Sequence, residues 1–339
     1  MNVSQEKTNA SLGKKKRTIK EYFGIFLRGA AMGASDIVPG VSGGTIAFIF
    51  GIYEELIESI RKFGDRDFLE AAIRFRIKKL LALMNWEFLL ALGLGILAAI
   101  FTLSHYLEWL LVNKPVYLWS FFFGLVVSSI FTVGKRIPSW TSSLWGMLMF
   151  GAFFAFFLVG LVPVETPETW WFMILSGAVA SVALILPGIS GSFILLLMGK
   201  YQYVVAAVNA RDIFTLALVG IGVAAGLVSF SQVISRLFKK YHDLTVALLT
   251  GFMVGSLRKI WPWREAVEWL QDGAGNFILD SEGHRRVIAE ALHLPSFASA
   301  EGITQFALAL LFAVIGAALI ILVDRVAKQN GQEETDVAE

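Results

Sequence analysis

The sequence contains no cysteine, which excludes disulfides, thiolate metal sites and a cysteine nucleophile. Histidine is nearly as scarce: His105, His242, His284 and His293 are scattered and give no metal-ligand spacing. Charge is thin as well. Asp, Glu, Lys and Arg make up 17% of the 339 residues, against about 25% in soluble domains. A formal net charge of +2 is too small to mark a nucleic-acid partner. There is no Gly-Lys-Ser/Thr phosphate loop, so ATP hydrolysis by this chain is not expected. No Gly-x-Ser-x-Gly elbow with triad partners stands out. What is abundant is apolar: 56% of residues are hydrophobic, with 28 Phe, 10 Trp and 31 Gly, and mean hydropathy is +0.66. This excludes an ordinary soluble enzyme and a disordered chain. It argues against a β-barrel, whose alternating strands dilute the apolar signal. The expected class is all-α, a polytopic integral membrane protein.

Six stretches are each able to cross a hydrocarbon core of roughly 30 Å: residues 87–111, 116–133, 142–162, 213–235, 243–257 and 303–323. Two further apolar stretches, 21–57 and 170–208, are interrupted. Pro39-Gly40-Val-Ser42-Gly43-Gly44 breaks the first and Pro187-Gly188-Ile-Ser190-Gly191-Ser192 breaks the second. Pro and Gly end helices, and each half is short for a crossing. The expectation is a pair of re-entrant helical hairpins, because non-helical backbone at membrane depth survives only where protein buries it or water reaches it.

The broken segments read as copies. Sliding the first by 148 residues aligns Pro39 with Pro187, Gly29 with Gly177, Ser42 with Ser190, Gly51 with Gly199 and Tyr53 with Tyr201. Downstream an offset of 127 pairs Gly95 with Gly222 and Gly124 with Gly251, the difference being a longer polar loop in the first copy. The predicted organisation is a basic tail (1–20), repeat 1 (21–162), inverted repeat 2 (163–325) and a second tail (326–339). Repeat 1 holds hairpin 21–57, a loop at 58–86 and three crossings. Repeat 2 holds hairpin 170–208, three crossings and an outer loop at 264–302, expected to form a short amphipathic helix with turns. The tail with Lys14, Lys15, Lys16 and Arg17 is read as retained in the cytosol rather than as a signal peptide, since the next apolar stretch carries Arg28 and Asp36. With the N-terminus inside, 20 of the 29 Lys and Arg residues fall on the cytoplasmic side, as the positive-inside rule asks.

The candidate chemistry lies at the breaks. Ser42, Gly43, Gly44 and Thr45 are predicted to open a half-helix, whose N-terminus offers unpaired N–H groups and partial positive charge. Glycine lets an oxyanion approach that backbone and the hydroxyls add donors, the arrangement that binds phosphate or carboxylate. Ser190, Gly191 and Ser192 repeat it, after the hairpin-break residues Pro39, Gly40, Pro187 and Gly188. The plainer reading is that these residues cap helices and allow tight packing. Arg28 lies in an apolar run and either binds phosphate through two parallel N–H bonds or snorkels to the cytosolic interface. Asp36 is open to three roles: pairing with Arg28, binding a proton or sodium ion, or capping the loop. Glu54 is a weaker candidate for ion coupling, because a solvated face explains it too. Arg258, beside Lys259, Trp261 and Trp263, is either an anion receiver at the outer face or an interfacial anchor. His105 and Glu108 read as a polar interfacial tip.

Arg28-Gly-Ala-Ala-Met-Gly-Ala-Ser-Asp36-Ile-Val-Pro39-Gly-Val-Ser-Gly-Gly-Thr45, Leu186-Pro187-Gly-Ile-Ser-Gly-Ser192 and Gly251–Trp263 together resemble the bacterial polyprenyl-phosphate (undecaprenyl phosphate) transporter family, PopT-type, formerly a domain of unknown function. The resemblance spans about residues 21–325; the tails and the 264–302 loop have no match in it. It implies an inner-membrane flippase that returns undecaprenyl phosphate from the outer to the cytoplasmic leaflet for peptidoglycan and other envelope polymers. It further implies coupling to a proton or sodium gradient, with no resident cofactor, no metal and no catalytic residue. A homodimer is one assembly this reading admits. Two other classes stay open on the residues alone: a secondary transporter for a small anion, and a membrane enzyme acting on lipid phosphates. The second needs a catalytic His or paired carboxylates facing the loops.

Overall fold

The computed structural model describes residues 17–38, 41–164, 166–269, 277 and 287–336. Pro39, Gly40, Glu165 and the centre of the outer loop lie outside the described residues. The chain is mostly helical. Helix α1 (Ile19–Ile37) starts at a capping box in which Thr18 and Glu21 satisfy each other's backbone amides. The break follows, then α2 (Gly43–Ile49), a turn, and α3 (Tyr53–Arg61). A 3-10 turn at Lys62–Gly64 and two short helices, α4 (Arg66–Ile73) and α5 (Ile77–Leu83), occupy the stretch expected to be a loop. Then come α6 (Trp86–Asn113), α7 (Pro115–Gly134, with proline at its first turn) and α8 (Ser142–Leu158).

The second half follows the same order: α9 (Trp170–Ile185), the break, α10 (Gly191–Leu197), a turn, α11 (Tyr201–Ala210), then α12 (Ile213–Ser256) and α13 (Ala300–Asp336). Asp212 caps α12 by accepting from the Thr215 amide and hydroxyl. At roughly 1.5 Å per residue, the 44 residues of α12 are about twice as long as one crossing needs. The helix bends at Tyr241, whose φ of −139° and ψ of 52° are not helical. It thus contains both the 213–235 and the 243–257 stretches. Among the described residues, four helices (α6, α7, α12 and α13 up to Arg325) are long and apolar enough to cross a membrane, or five spans if the bent pair α10–α11 counts as one. Helices α8 and α9 are apolar but shorter.

Two further expectations need correction. The second half of each hairpin is two helices rather than one: Gly51 (φ +70°) and Gly199 (φ +64°) put a left-handed turn into each, and α10 and α11 are bent by 106°. These φ values strain any residue with a Cβ. The described part of the outer loop before Ala300 is also not helical. β1 (Arg264–Trp269) pairs antiparallel with β2 (Val287–Leu292), so the fold is mostly rather than wholly α. The pattern Arg-Glu-Ala-Val-Glu-Trp alternates loosely enough to hide as a weak amphipathic segment. Helix α13 continues to Asp336, past the end of the predicted second repeat.

Close packing is built on small residues. Helix α1 packs along α6, α9 along α12, α8 along α12 and α13 along α7. A Cβ on Gly29 would overlap the Leu92 carbonyl, and one on Gly95 the Phe26 carbonyl; Gly177 against Val219 and Gly222 against Ile174 are equally tight. Gly124 with Ala313, Gly316 with Phe121, Gly251 with Leu148 and Gly151 with Leu248 are packed in the same way. Such backbone approach is how helices associate where lipid removes the hydrophobic drive. Buried Ser120, Ser129, Ser176 and Thr250 each donate to a carbonyl one turn back, so their hydroxyls need no water. The outward faces carry Phe101, Phe150, Phe153 and Leu310, all well exposed. In water such a surface invites aggregation; against acyl chains it is the expected one.

Candidate functional site

Helix α2 is buried along its whole length. It sits at the meeting of the two halves, and the breaks touch each other there. The Gly188 N–H donates to Thr45 Oγ1 at 2.7 Å in a buried contact. A Cβ on Gly44 would press on the Leu184 and Ile185 carbonyls at the end of α9. Ser42 caps α2, accepting the Gly44 N–H at 3.1 Å, and Asp36 Oδ1 accepts the Gly43 N–H at 2.6 Å. In this state the amides of Gly43 and Gly44 are therefore satisfied by the chain itself. Asp36 takes the capping role among the three left open for it, and its carboxylate stands where an external anion would stand at a helix start. It does so at the surface of the chain, since Asp36 is exposed.

The second break is organised differently. Leu184 replaces Asp36, and no side chain caps α10. Ser190 and Ser192 hydroxyls meet at 2.8 Å; Ser190 is buried while Ser192 reaches the surface. Gly188 has a φ of +86°, with Ser256 and the Phe252 carbonyl beside it. The structure thus brings Gly44 and Thr45 of the first break against Gly188 and the end of α9, with the Ser190–Ser192 pair two residues past Gly188, while Pro39 and Gly40 lie outside the described residues.

The arginines stand apart from this cluster. Arg28 is half-buried on α1, without a hydrogen-bond or ion-pair partner among the described residues. Arg258 turns toward α8, where it donates to the Phe156 carbonyl at 3.1 Å and covers the Phe156 ring. Its neighbour Lys259 is the cation that reaches hairpin 2, with Nζ 5.2 Å from the centre of the Phe193 ring, one residue past Ser192. Lys259 and Arg264 share Glu290, each at 3.1 Å, and Arg264 stacks over Trp119 at 3.9 Å. Burial alone would raise the Glu290 pKa, but the two cations hold it below the usual carboxylate range; burial lowers that of Arg264. Sequence reasoning missed Lys259, Arg264 and Glu290 as a unit, because the strand pairing that joins them spans 26 residues. Glu54 lies on an exposed face, 3.3 Å from His242, just beyond the end of α2 that is away from the break. No group of three or more His, Asp or Glu able to hold a metal occurs among the described residues.

A family model described as VCA0040-like, undecaprenyl phosphate translocase-like, matches residues 32–278, a span holding both breaks and the bent helix. The chain belongs to this family. Its members move a substrate rather than transform one, and the chain is a multi-pass membrane protein of that transporter family. A polyprenyl-phosphate transporter of Vibrio cholerae serotype O1 is 43% identical over 254 residues, covering 75% of this chain and 82% of that protein. A polyprenyl-phosphate transporter of Staphylococcus aureus is 33% identical over 254 residues, covering 70% of this chain and 85% of that protein. No solved structure matches.

Proposed function

We propose that this protein is an undecaprenyl phosphate translocase that carries the lipid's phosphate from the outer to the cytoplasmic leaflet of the bacterial inner membrane, past the paired breaks. The lipid carrier is thereby recycled for envelope polymer synthesis. The observation that carries the reading is the buried bond from the Gly188 amide to Thr45, which joins the two glycine-lined breaks at the centre of the fold. A bare phosphate in an apolar core is prohibitively desolvated unless donors replace its water. Ser42, Thr45, Ser190, Ser192 and the amides of Gly43, Gly44 and Gly191 are such donors, while the polyprenyl tail stays in lipid. Arg28 on the cytoplasmic approach and Arg258 with Lys259 on the outer one flank the path.

The two halves are inverted repeats in this reading. Moving Gly29 by 148 and Leu92 by 127 gives Gly177 and Val219, which make the same contact; Gly95 with Phe26 likewise gives Gly222 with Ile174. The third helices exchange partners, α8 packing on the end of α12 and α13 on α7. Paired interrupted segments in two such halves are where transporters bind substrate. Both termini face the cytoplasm, as the distribution of Lys and Arg supports.

Coupling runs through Asp36. Its carboxylate holds the Gly43 amide, so an incoming phosphate must displace it. Uptake of a proton by Asp36 releases that amide at no cost in stranded charge, and proton entry then drives the lipid inward. Glu54, at the other end of α2, is the secondary coupling candidate. The test is leaflet exchange of undecaprenyl phosphate in liposomes, with and without a pH gradient. Wild type exchanges the lipid; Ser190→Ala, Arg28→Ala and Arg258→Ala slow it; Asp36→Asn removes the response to the gradient. Well-folded wild type that leaves the lipid in place refutes the function, and full exchange by the three alanine variants refutes the site.

A further inference from the structure

The re-entrant segment has a second polar end. A cleft opens where α2 meets α3, the end of α7 and the bend of α12, lined by Phe48, Tyr53, Glu54, Arg136, His242 and Val246. It lies across the seven residues of α2 from the break, roughly 10 Å of helix. The Arg136 guanidinium lies over Gly51 and donates to the Ile49 carbonyl at 3.2 Å, with no carboxylate partner among the described residues. His242 approaches Glu54 at 3.3 Å and Asp243 at 3.0 Å. Tyr53 is 2% exposed, and its buried hydroxyl has no hydrogen-bond partner among the described residues.

We propose that this cleft is a second phosphate site, where Arg136, His242 and Tyr53 receive the monoester head group of a prenyl phosphate after it leaves the breaks. The inference rests on the transport reading above. The chemistry fits a tailed monoester in three respects. Arg136 offers a planar fork of donors to phosphate oxygens. The Tyr53 hydroxyl is a donor without a partner among the described residues. Phe48 and Val246 supply an apolar wall for the first carbons of the tail. Glu54 is the resident anion. Its pair with His242 is more than half exposed on both sides and so is weakly held, and the arriving phosphate takes over His242 while the Glu54 carboxylate swings to water. The break and the cleft thus work alike: each holds a carboxylate, Asp36 or Glu54, that the lipid phosphate replaces.

The test is calorimetric titration of the full chain in detergent micelles with farnesyl phosphate, inorganic phosphate and farnesol. Wild type is expected to bind two equivalents of farnesyl phosphate and no farnesol. Arg136→Gln, which keeps a donor for Ile49, and His242→Gln each weaken one of the two events at least tenfold and leave the other intact. The pair Ser190→Ala with Ser192→Ala does the reverse. Tyr53→Phe raises the thermal midpoint of the ligand-free protein, since it removes an unpaired buried hydroxyl, yet weakens the same event as Arg136→Gln. Two unchanged events in the Arg136, His242 and Tyr53 variants overturn the cleft and leave the break site standing. Loss of both events in the serine variant overturns it too, because a single site then explains all binding. Inorganic phosphate as tight as farnesyl phosphate at the cleft overturns its assignment to a lipid, whatever the liposome exchange shows.

Discussion

Replacing Thr45 with valine isolates the contact between the breaks. Valine nearly matches threonine in shape but lacks the oxygen that accepts the Gly188 N–H at 2.7 Å. Thr45 is 1% exposed and the bond is buried, so the stranded amide has no water to turn to. A buried donor left unpaired costs about 1–3 kcal/mol, and membrane depth keeps the value toward the upper end. At about 1.4 kcal/mol per factor of ten, the docking of hairpin 2 onto α2 weakens by about 5- to 150-fold. Unfolding of purified Thr45→Val in detergent micelles should show that loss relative to wild type. Thr45→Ser retains the oxygen and should recover most of it. The expected functional echo is slowed lipid exchange in liposomes, since the two breaks no longer hold one geometry. A Thr45→Val protein as stable as wild type, with Thr45→Ser less stable than either, would refute the claim that this bond joins the halves.

Other consequences follow from packing and charge. Gly95→Ala should be strongly destabilising, because its Cβ would overlap the Phe26 carbonyl; Gly93→Ala, two residues away with open space around it, should be neutral or stabilising by up to about 1 kcal/mol, and paired thermal melts distinguish them. Burial tends to raise the Glu58 pKa, but Arg61, the Ser235 hydroxyl and Lys239 outweigh it and hold the group at about 2. A lowered pKa contributes stability that is fully present above the unfolded value near 4.5 and is lost as pH falls through 2. Wild type should thus be more stable than Glu58→Gln at neutral pH, with the gap in melting temperature closing between pH 4.5 and 2. Glu290→Gln removes the shared anion of Lys259 and Arg264, and hydrogen exchange of the β1–β2 amides should speed up while that of α6 does not change.

Much of the fold is local in origin and was legible for that reason. The apolar runs, the Pro-Gly breaks and the two offsets of 148 and 127 are properties of neighbours along the chain, and helices form from neighbours. The matched breaks were visible as Ser42-Gly43-Gly44-Thr45 and Ser190-Gly191-Ser192, and the family could be read from the same residues. Less local features were misread. Gly51 and Gly199 were legible only as a matched pair and not as bends, since the φ that makes them turns is not written in the residue type. The β1–β2 pair joins residues 18 to 28 positions apart, and its weak alternation resembled a short amphipathic helix.

The sequence alone determined that the chain lives in a membrane, where it is interrupted, and that its two halves share a pattern, because hydropathy, helix breaking and repetition all act over a few residues. Only the tertiary structure decided that Thr45 meets Gly188, that Asp36 holds the Gly43 amide at the helix start rather than pairing with Arg28, and that Lys259 rather than Arg258 reaches hairpin 2. Those outcomes depend on which backbones approach closely enough to bond, and glycine-to-carbonyl packing between distant helices sets that distance.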